Sequence, residues 1–272
     1  MDDIQLKNIA KEIRKKIFLM IYKAGGGHIT PSFSVVEILT VLYFRILHFD
    51  KHDLRGADRD RFILSKGHAS AALYATLAQA GIINKELLET FCQADGKLGG
   101  HPDLDAVPGV EATTGALGHG FPFSIGIALN GKMDKKTYRV FTVLGDGECQ
   151  EGSVWEAAQF AAHHKLDNLT AIIDYNKLQA MGKISDILAI EPLVKKWESF
   201  NWSVREVDGH DIHALTVVLS RLPFKSGKPN LVIAHTVKGK GISFMENVPI
   251  WHYRLPNEKE MEICRRELEI EA

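Results

Sequence analysis

An apolar run, Tyr138-Arg139-Val140-Phe141-Thr142-Val143-Leu144, breaks abruptly into Gly145-Asp146-Gly147-Glu148. A helical stretch of mostly small residues follows from Ser153 to His164. A second apolar run, Leu169-Thr170-Ala171-Ile172-Ile173, then leads through Asp174 and Tyr175 to Asn176. Strand, glycine-rich turn, helix and strand make a βαβ unit, which commits the chain to a parallel sheet with helices on its faces. The unit puts one oxygen-bearing side chain at the carboxyl end of each strand, where open α/β sheets bind their ligands. A carboxylate and a carboxamide meeting there suit Mg2+, a hard cation held by few protein oxygens together with phosphates of its ligand. The sequence therefore points to a metal-bound diphosphate.

The rest of the chain repeats the alternation. Leu6, Ile9, Ala10, Ile13, Ile17, Met20 and Ile21 recur at helical spacing up to the stop at Gly25-Gly26-Gly27. Ser34-Val35-Val36-Glu37 has the form of a capping box opening a second helix. Arg61 to Leu64 reads as a short strand, followed by Ser65-Lys66-Gly67-His68 and an Ala-rich helix to Ala80. Strands at 203–207 and 230–236 flank a helix near 211–222, and a charged amphipathic helix closes the chain over 256–270. No repeat, low-complexity tract or Pro/Ser-rich linker divides the 272 residues, which predicts one α/β domain, a parallel sheet sandwiched by helices.

Composition narrows the function classes. Lys plus Arg number 33 against 34 Asp plus Glu, so nothing electrostatic favours a nucleic acid partner; Arg14-Lys15-Lys16 and Lys135-Lys136 read as solvated faces. Cys92, Cys149 and Cys264 are widely spaced and form no paired motif, which argues against a disulfide framework or a zinc site and for a reducing compartment. Cys149 lies in the glycine-rich turn, but no flanking pattern marks it as a nucleophile. The polar N-terminus has no signal-peptide core, and no apolar run is long enough to span a bilayer. No membrane partner is expected, and the cytoplasm is the default location.

Several chemistry-bearing segments follow apolar runs: Lys66-Gly67-His68, Gly145-Asp146-Gly147, Asn176 and the residues after Thr236. In a parallel sheet these fall on one rim. Gly145 and Gly147 let backbone amides approach a phosphate closely, and the helix beyond them aims its N-terminal amides the same way. Asp146 could instead be a local cap, but Asn176, thirty positions on at the next strand end, favours the shared ligand. A second glycine-rich stretch, Thr113-Thr114-Gly115-Ala116-Leu117-Gly118-His119-Gly120, enters a helix running to about Asn130. It could cradle phosphate, stack on a cofactor ring, or simply pack tightly. His28, His68, His101, His119 and His252 each adjoin glycine or a loop, which predicts a polar pocket for hydroxyls, phosphates and proton transfer. His163 and His164, on the helix after the turn, read as structural.

These residues resemble the thiamine-diphosphate-binding half of the transketolase family. The family motif, Gly-Asp-Gly followed some 25–30 residues later by Asn, is filled by Leu144 to Gly152 and Asp174-Tyr175-Asn176-Lys177-Leu178. Agreement extends to Gly27-His28, Ser65-Lys66-Gly67-His68-Ala69, Gly100-His101-Pro102-Asp103, Pro108 to Gly115 and Asp208-Gly209-His210-Asp211, in order, over about residues 10–255. The resemblance implies that Asp146, Asn176 and the Leu178 carbonyl hold Mg2+. Gly145, Gly147 and Glu148 would belong to the cofactor site, with Gly147 on the diphosphate. His68 and His252 would lie near the diphosphate, and Gly115 and Leu117 would line the cofactor. His28 and His101 would face the sugar, and Glu151 would sit at a subunit contact. Two departures stand out: His119, where many members have Gln, and Tyr253 after His252, where Gly is common.

Full-length members carry a second domain that binds the aminopyrimidine ring, and 272 residues leave room for the diphosphate domain only. The resemblance is therefore to the N-terminal subunit of split transketolases, with 1–272 one domain and the pyrimidine-binding half on a separate chain. The implied activity is transfer of a two-carbon ketol unit from a ketose, or ketose phosphate, to an aldose acceptor. Thiamine diphosphate and Mg2+ would be the cofactors, with pentose-phosphate sugars as default substrates and modified sugars as an option. An α2β2 heterotetramer, inactive without its partner chain, would be the assembly. The alternatives are another thiamine-diphosphate chemistry, deoxyxylulose phosphate synthesis or 2-oxoacid decarboxylation, and a non-catalytic cofactor-binding subunit.

Overall fold

Five strands, all parallel, form a single sheet in the computed structural model, which describes residues 1–271. They are β1 (Arg61–Leu64), β2 (Val140–Gly145), β3 (Leu169–Tyr175), β4 (Ser203–Asp208) and β5 (Asn230–His235), in the order β1-β2-β3-β5-β4. Ten α-helices accompany them. Before β1 come α1 (Asp3–Ala24), α2 (Ile29–Phe33) and α3 (Val36–Val41), and after it α4 (Ser70–Gln79) and α5 (Gly120–Met133). β2 and β3 enclose α6 (Gly152–His163), and α7 (Ile184–Ile187) and α8 (Leu193–Ser199) precede β4. β4 and β5 enclose α9 (Ile212–Leu219), and α10 (Glu258–Leu268) closes the chain.

The strands are apolar without a break because the sheet is covered on both faces. Successive side chains alternate between two cores. Phe62, Leu64, Phe141, Val143, Ile172, Val232 and Ala234 point into a core shared with α1, α3, α4, α9 and α10. Ile63, Val140, Leu144, Ala171, Ile173, Leu231 and Ile233 point into the other, filled by α5, α6 and α8. Register fixes the rim: Gly145 lies opposite Asp174, and Tyr175 opposite His235, so the chain leaves β2, β3 and β5 at one edge. No helix among the described residues is long and apolar enough to cross a membrane.

One expectation fails. Ser34 and Glu37 do not form a capping box: α3 starts at Val36 and its N-cap, Val35, makes no side-chain cap. Both polar side chains are buried and taken by distant partners, Ser34 by Asp174 (2.7 Å) and Glu37 by Arg14 (2.8 Å). Tertiary ion pairing outcompetes the local motif. Real capping boxes occur at Asp2/Gln5 on α1 and at Asn257/Glu260 on α10.

Candidate functional site

Beyond the carboxyl ends of β2, β3 and β5 lies a cavity of about 450 Å3. His28, His68, Gly115, Leu117, Gly145, Asp146, Gly147, Glu148, Glu151, Asn176, Leu178 and His252 all line it. His101 stands beside this group, its ring 6.0 Å from that of His28. His119 does not join: it is exposed at the N-terminus of α5, with Nδ1 against the Leu117 carbonyl (3.0 Å). His163 and His164 are remote on α6, His164 packing on Phe160 at 4.2 Å. Cys149 is 1% exposed, and burial pushes its thiol well above the ordinary range, so it is no nucleophile.

Asp146 caps locally and also faces the cavity. It is 2% exposed; one carboxylate oxygen accepts the Gly147 amide (2.8 Å), and the other accepts the Lys177 amide. That second bond crosses from the β2 turn to the β3 turn, so Asn176 and Leu178 flank the residue that Asp146 holds. The Asn176 side-chain amide donates to Asp174 (3.1 Å), and its oxygen accepts the Leu178 amide (3.0 Å). Burial, then the charge of Asp174, pushes the Asp146 carboxyl up to about 7, against the pull of the two amides and of Lys66. No set of three or more His, Cys, Asp or Glu among the described residues has the geometry of a metal centre. Asp146, Asn176 and Leu178, at the exits of two neighbouring strands, line the cavity together.

Behind them is a buried hub centred on Asp174, fully inaccessible on the second-last position of β3. Lys66 pairs with it, and so do the hydroxyls of Ser34 and Thr236. The Lys66 ammonium also donates to the Pro31 carbonyl (2.9 Å). A second buried ammonium, Lys238, is 2% exposed, donates to the Gln179 carbonyl (3.1 Å) and meets His252 Nδ1 at 2.8 Å. Burial, with Lys66 close by, pulls it down to about 8. The Gln179 side-chain amide nitrogen is buried without a partner. Lys238 and Gln179 are the site groups the sequence reading missed. The available signal was the run Thr236-Val237-Lys238-Gly239 directly beyond β5.

The glycine-rich segments interlock. A Cβ on Gly67 would sit 2.7 Å from the Gly115 nitrogen and 2.8 Å from Thr114 Oγ1, and Thr114 Oγ1 itself donates to the Leu64 carbonyl (2.8 Å). Gly115 has φ of +149° and packs against His101, where a Cβ would come within 3.1 Å of the ring. The second glycine-rich stretch thus packs tightly and also borders the cavity through Gly115 and Leu117. Glu148 ties the segments together, accepting from the Ser65 hydroxyl, the Gly118 amide (3.0 Å) and the Gly145 amide (3.1 Å).

The imidazoles form one patch. His28 has ring centres of His68 at 5.5 Å, His252 at 5.2 Å and Tyr253 at 4.8 Å. Their protonation differs from the near-neutral values expected of proton carriers. Burial, then His101 and the two lysines, lowers His28 to about 4; burial, then Lys238 and His28, lowers His252 to about 3; His68 is also pushed well down. At neutral pH and without ligand these rings are neutral hydrogen-bonding groups.

Set against known proteins, residues 5–271 match the family described as transketolase, thiamine diphosphate binding domain. An apulose-4-phosphate transketolase subunit of Actinobacillus succinogenes is 46% identical over 268 residues, covering 98% of this chain and 97% of that one. The 6-deoxy-6-sulfo-D-fructose transketolase subunit SqwG of a Clostridium species is 40% identical over 269 residues, covering 99% and 98%. Among solved structures, the transketolase of Campylobacter jejuni superposes with a TM-score of 0.90 at 30% identity. It covers 99% of this chain but 43% of its own, so the present chain spans about two fifths of the solved transketolases it matches.

Proposed function

This chain belongs to the transketolase family, and on that premise we propose that it is the diphosphate-binding subunit of a split two-carbon transferase. Residues 1–272 would be one domain, and a separate chain would bring the pyrimidine-binding half. Two relatives that match end to end carry subunit names, which supports division of the enzyme between chains. Exposed apolar side chains on segments that supply the cavity lining, Met181, Ile250 and Tyr253 among them, offer such a partner a docking rim. Two chains of each kind, an α2β2 assembly, would complete two sites.

The observation that carries the proposal is that Asp146, Asn176 and Leu178 line one cavity at adjacent strand ends, beside two buried lysines. The chemistry fits a metal-bound diphosphate. Asp146 is a buried carboxylate with no cation of its own, so Mg2+ would supply the charge it lacks. Lys238, buried and without a carboxylate partner in the structure, would meet the phosphate oxygens, together with the Gly147 amide and the unpartnered Gln179 amide. His68 and His252 would donate from neutral rings. Bound there, thiamine diphosphate would supply the carbon nucleophile and electron sink for breaking a bond next to a ketose carbonyl.

The remaining residues orient and shield. His28 and His101, at the open side of the imidazole patch, would bind the sugar's hydroxyls and hold or return their protons. Burial keeps His28 neutral in the free chain, which suits acceptance of a proton, and a bound diphosphate would raise it toward the working range. Glu148, its carboxylate oxygens already engaged by three donors, would keep the two glycine-rich turns in register. Glu151, exposed at the N-cap of α6, would face the partner. Tyr253, its ring 4.8 Å edge-on from that of His28, would limit the room left for a sugar beside that imidazole. The donor and acceptor would be a ketose and an aldose, phosphorylated or otherwise modified, within cytoplasmic carbohydrate metabolism. Three free cysteines fit a reducing compartment.

The test is Asp146→Ala in the complex reconstituted with the pyrimidine-binding chain. Calorimetric titration of thiamine diphosphate with and without Mg2+ should show metal-dependent binding in the parent protein and its loss in the variant, with ketose-to-aldose transfer abolished. Unchanged affinity would remove the metal assignment. Cofactor binding without any transfer by the parent complex would favour a non-catalytic role.

A further inference from the structure

Asp208-Gly209-His210-Asp211 lies outside the cavity, yet all four residues shape the β4–α9 turn. Asp208 accepts the His210 amide (2.8 Å), and Asp211 caps α9 through the Ala214 amide (3.0 Å). Gly209 permits contact with the chain leaving β5: a Cβ there would lie 2.4 Å from Thr236 Cγ2 and 3.1 Å from the His235 carbonyl oxygen. The turn thereby presents the His210 ring to that exit segment. The ladder of β5 ends at His235, so the Val237 amide has no strand partner and needs another acceptor. It donates to His210 Nε2 (2.8 Å). An amide can only donate, so Nε2 is unprotonated and Nδ1 carries the hydrogen, which goes to Glu37 (2.8 Å). Glu37 in turn is gripped by Arg14 through both oxygens (2.8 and 3.0 Å). The chain of bonds runs from α1 through α3 and the β4–α9 turn to the backbone one residue before Lys238.

We propose that His210 is a positioning residue: its imidazole holds the Val237 amide, and through it sets the backbone that delivers Lys238 to the cavity. On one side of Lys238 the Gly239 amide is fixed by the Thr30 carbonyl (3.2 Å), and on the other the imidazole supplies the side-chain clamp. With the clamp released, the Lys238 ammonium loses its defined place between the Gln179 carbonyl and His252, and the anionic ligand loses a preorganised donor. This deepens the reading of the cavity as a diphosphate site and rests on it for the choice of ligand.

Two substitutions separate the roles of the ring. His210→Gln can place an amide oxygen near Nε2 and keep the bond to Val237. His210→Asn can place an amide nitrogen near Nδ1 and keep Glu37, but leaves Val237 unheld. Amide hydrogen exchange of the 236–239 segment is read in the full chain alone; thiamine diphosphate affinity and kcat are read in the complex with the pyrimidine-binding chain. His210→Asn should speed exchange at Val237 and weaken cofactor affinity, each by about tenfold, the scale of one well-placed hydrogen bond. At saturating cofactor its kcat should stay within about twofold, and His210→Gln should stay within about threefold of the parent in exchange and affinity. Equal losses in both variants would overturn the proposal, as would unchanged Val237 protection or unchanged affinity in His210→Asn. If the parent complex binds no thiamine diphosphate, the cofactor reading falls, while the exchange arm still decides the clamp.

Discussion

Removing the Lys66 ammonium should expose how much the hub behind the site depends on one charge pair. Lys66 is 2% exposed and Asp174 fully buried, so Lys66→Met leaves a carboxylate in the interior with hydroxyl and amide donors but no cation. Breaking one side of such a pair costs about 3–5 kcal/mol. Over 272 residues, at about 2.1 cal/mol/K of unfolding entropy each, that lowers Tm by roughly 5–9 °C. Asp174 is the source of the penalty, so Lys66→Met/Asp174→Asn should recover at least half of it. The pH dependence supplies an independent sign. In the parent, burial alone would raise Asp174, but the Lys66 charge and the hydrogen bonds from Lys66, Thr236 and Ser34 outweigh it and hold the carboxyl below its usual range. A lowered carboxyl contributes stability above its unfolded pKa and loses it as pH falls. Without Lys66 the carboxyl rises above its unfolded value, so the variant's deficit should grow from pH 5 to pH 8. Scanning calorimetry of the three proteins at both pH values checks this. A single variant within about 1 kcal/mol of the parent at pH 8 would refute the reasoning.

Two further outcomes follow from burial and packing. His28 and His252 are held at about 4 and about 3, below the usual 6.5, so the unfolded chain binds more protons between those values. The stability they contribute is complete above about pH 6.5 and is lost as pH falls toward 4. Asp146, raised to about 7, works the other way over pH 7 to 5 in parent and variant alike, so the comparison isolates the imidazole. The urea midpoint of the ligand-free chain should fall less, or rise more, from pH 7 to pH 5 in His28→Asn than in the parent, and equal slopes would contradict this. On α5, Gly120→Ala would force a Cβ to 2.6 Å from the Ser65 Cα and should cost about 1–3 kcal/mol. Gly126→Ala meets nothing within 4 Å and should add about 0.5–1 kcal/mol in thermal melts of the isolated chain. A loss there would mean that something packs over that face.

Local pattern was enough wherever the chemistry was local. The apolar strands, the glycines that end them and the helical periodicity between them specified an all-parallel α/β sheet. Because strand ends in such a sheet share one edge, they also brought Asp146, Asn176, Leu178 and His68 to one cavity. Element boundaries moved by a few residues at most: the strand read from Tyr138 begins at Val140, and the helix read as 211–222 spans Ile212–Leu219. Much of the cavity lining was legible because glycine-rich turns and their polar neighbours are contiguous in the chain.

What sequence could not give were the partners of buried charges, since those lie far apart along the chain. Ser34 and Glu37 have the spacing of a helix cap, yet burial commits them to Asp174 and Arg14. Lys66 meets Asp174 across 108 positions, and His210 meets Glu37 across 173. His119 resembled the clustered histidines in its glycine-rich setting, but the direction in which α5 leaves the turn carries it to solvent. Proton affinity is settled the same way: an imidazole's residue type fixes only its value in water, whereas the low dielectric and the two nearby ammonium groups hold His28, His68 and His252 neutral. Sequence determined the scaffold and the rim because periodicity and turn geometry act over neighbouring residues. Folding alone decided which charges face one another, because electrostatic energy depends on distance and burial in space.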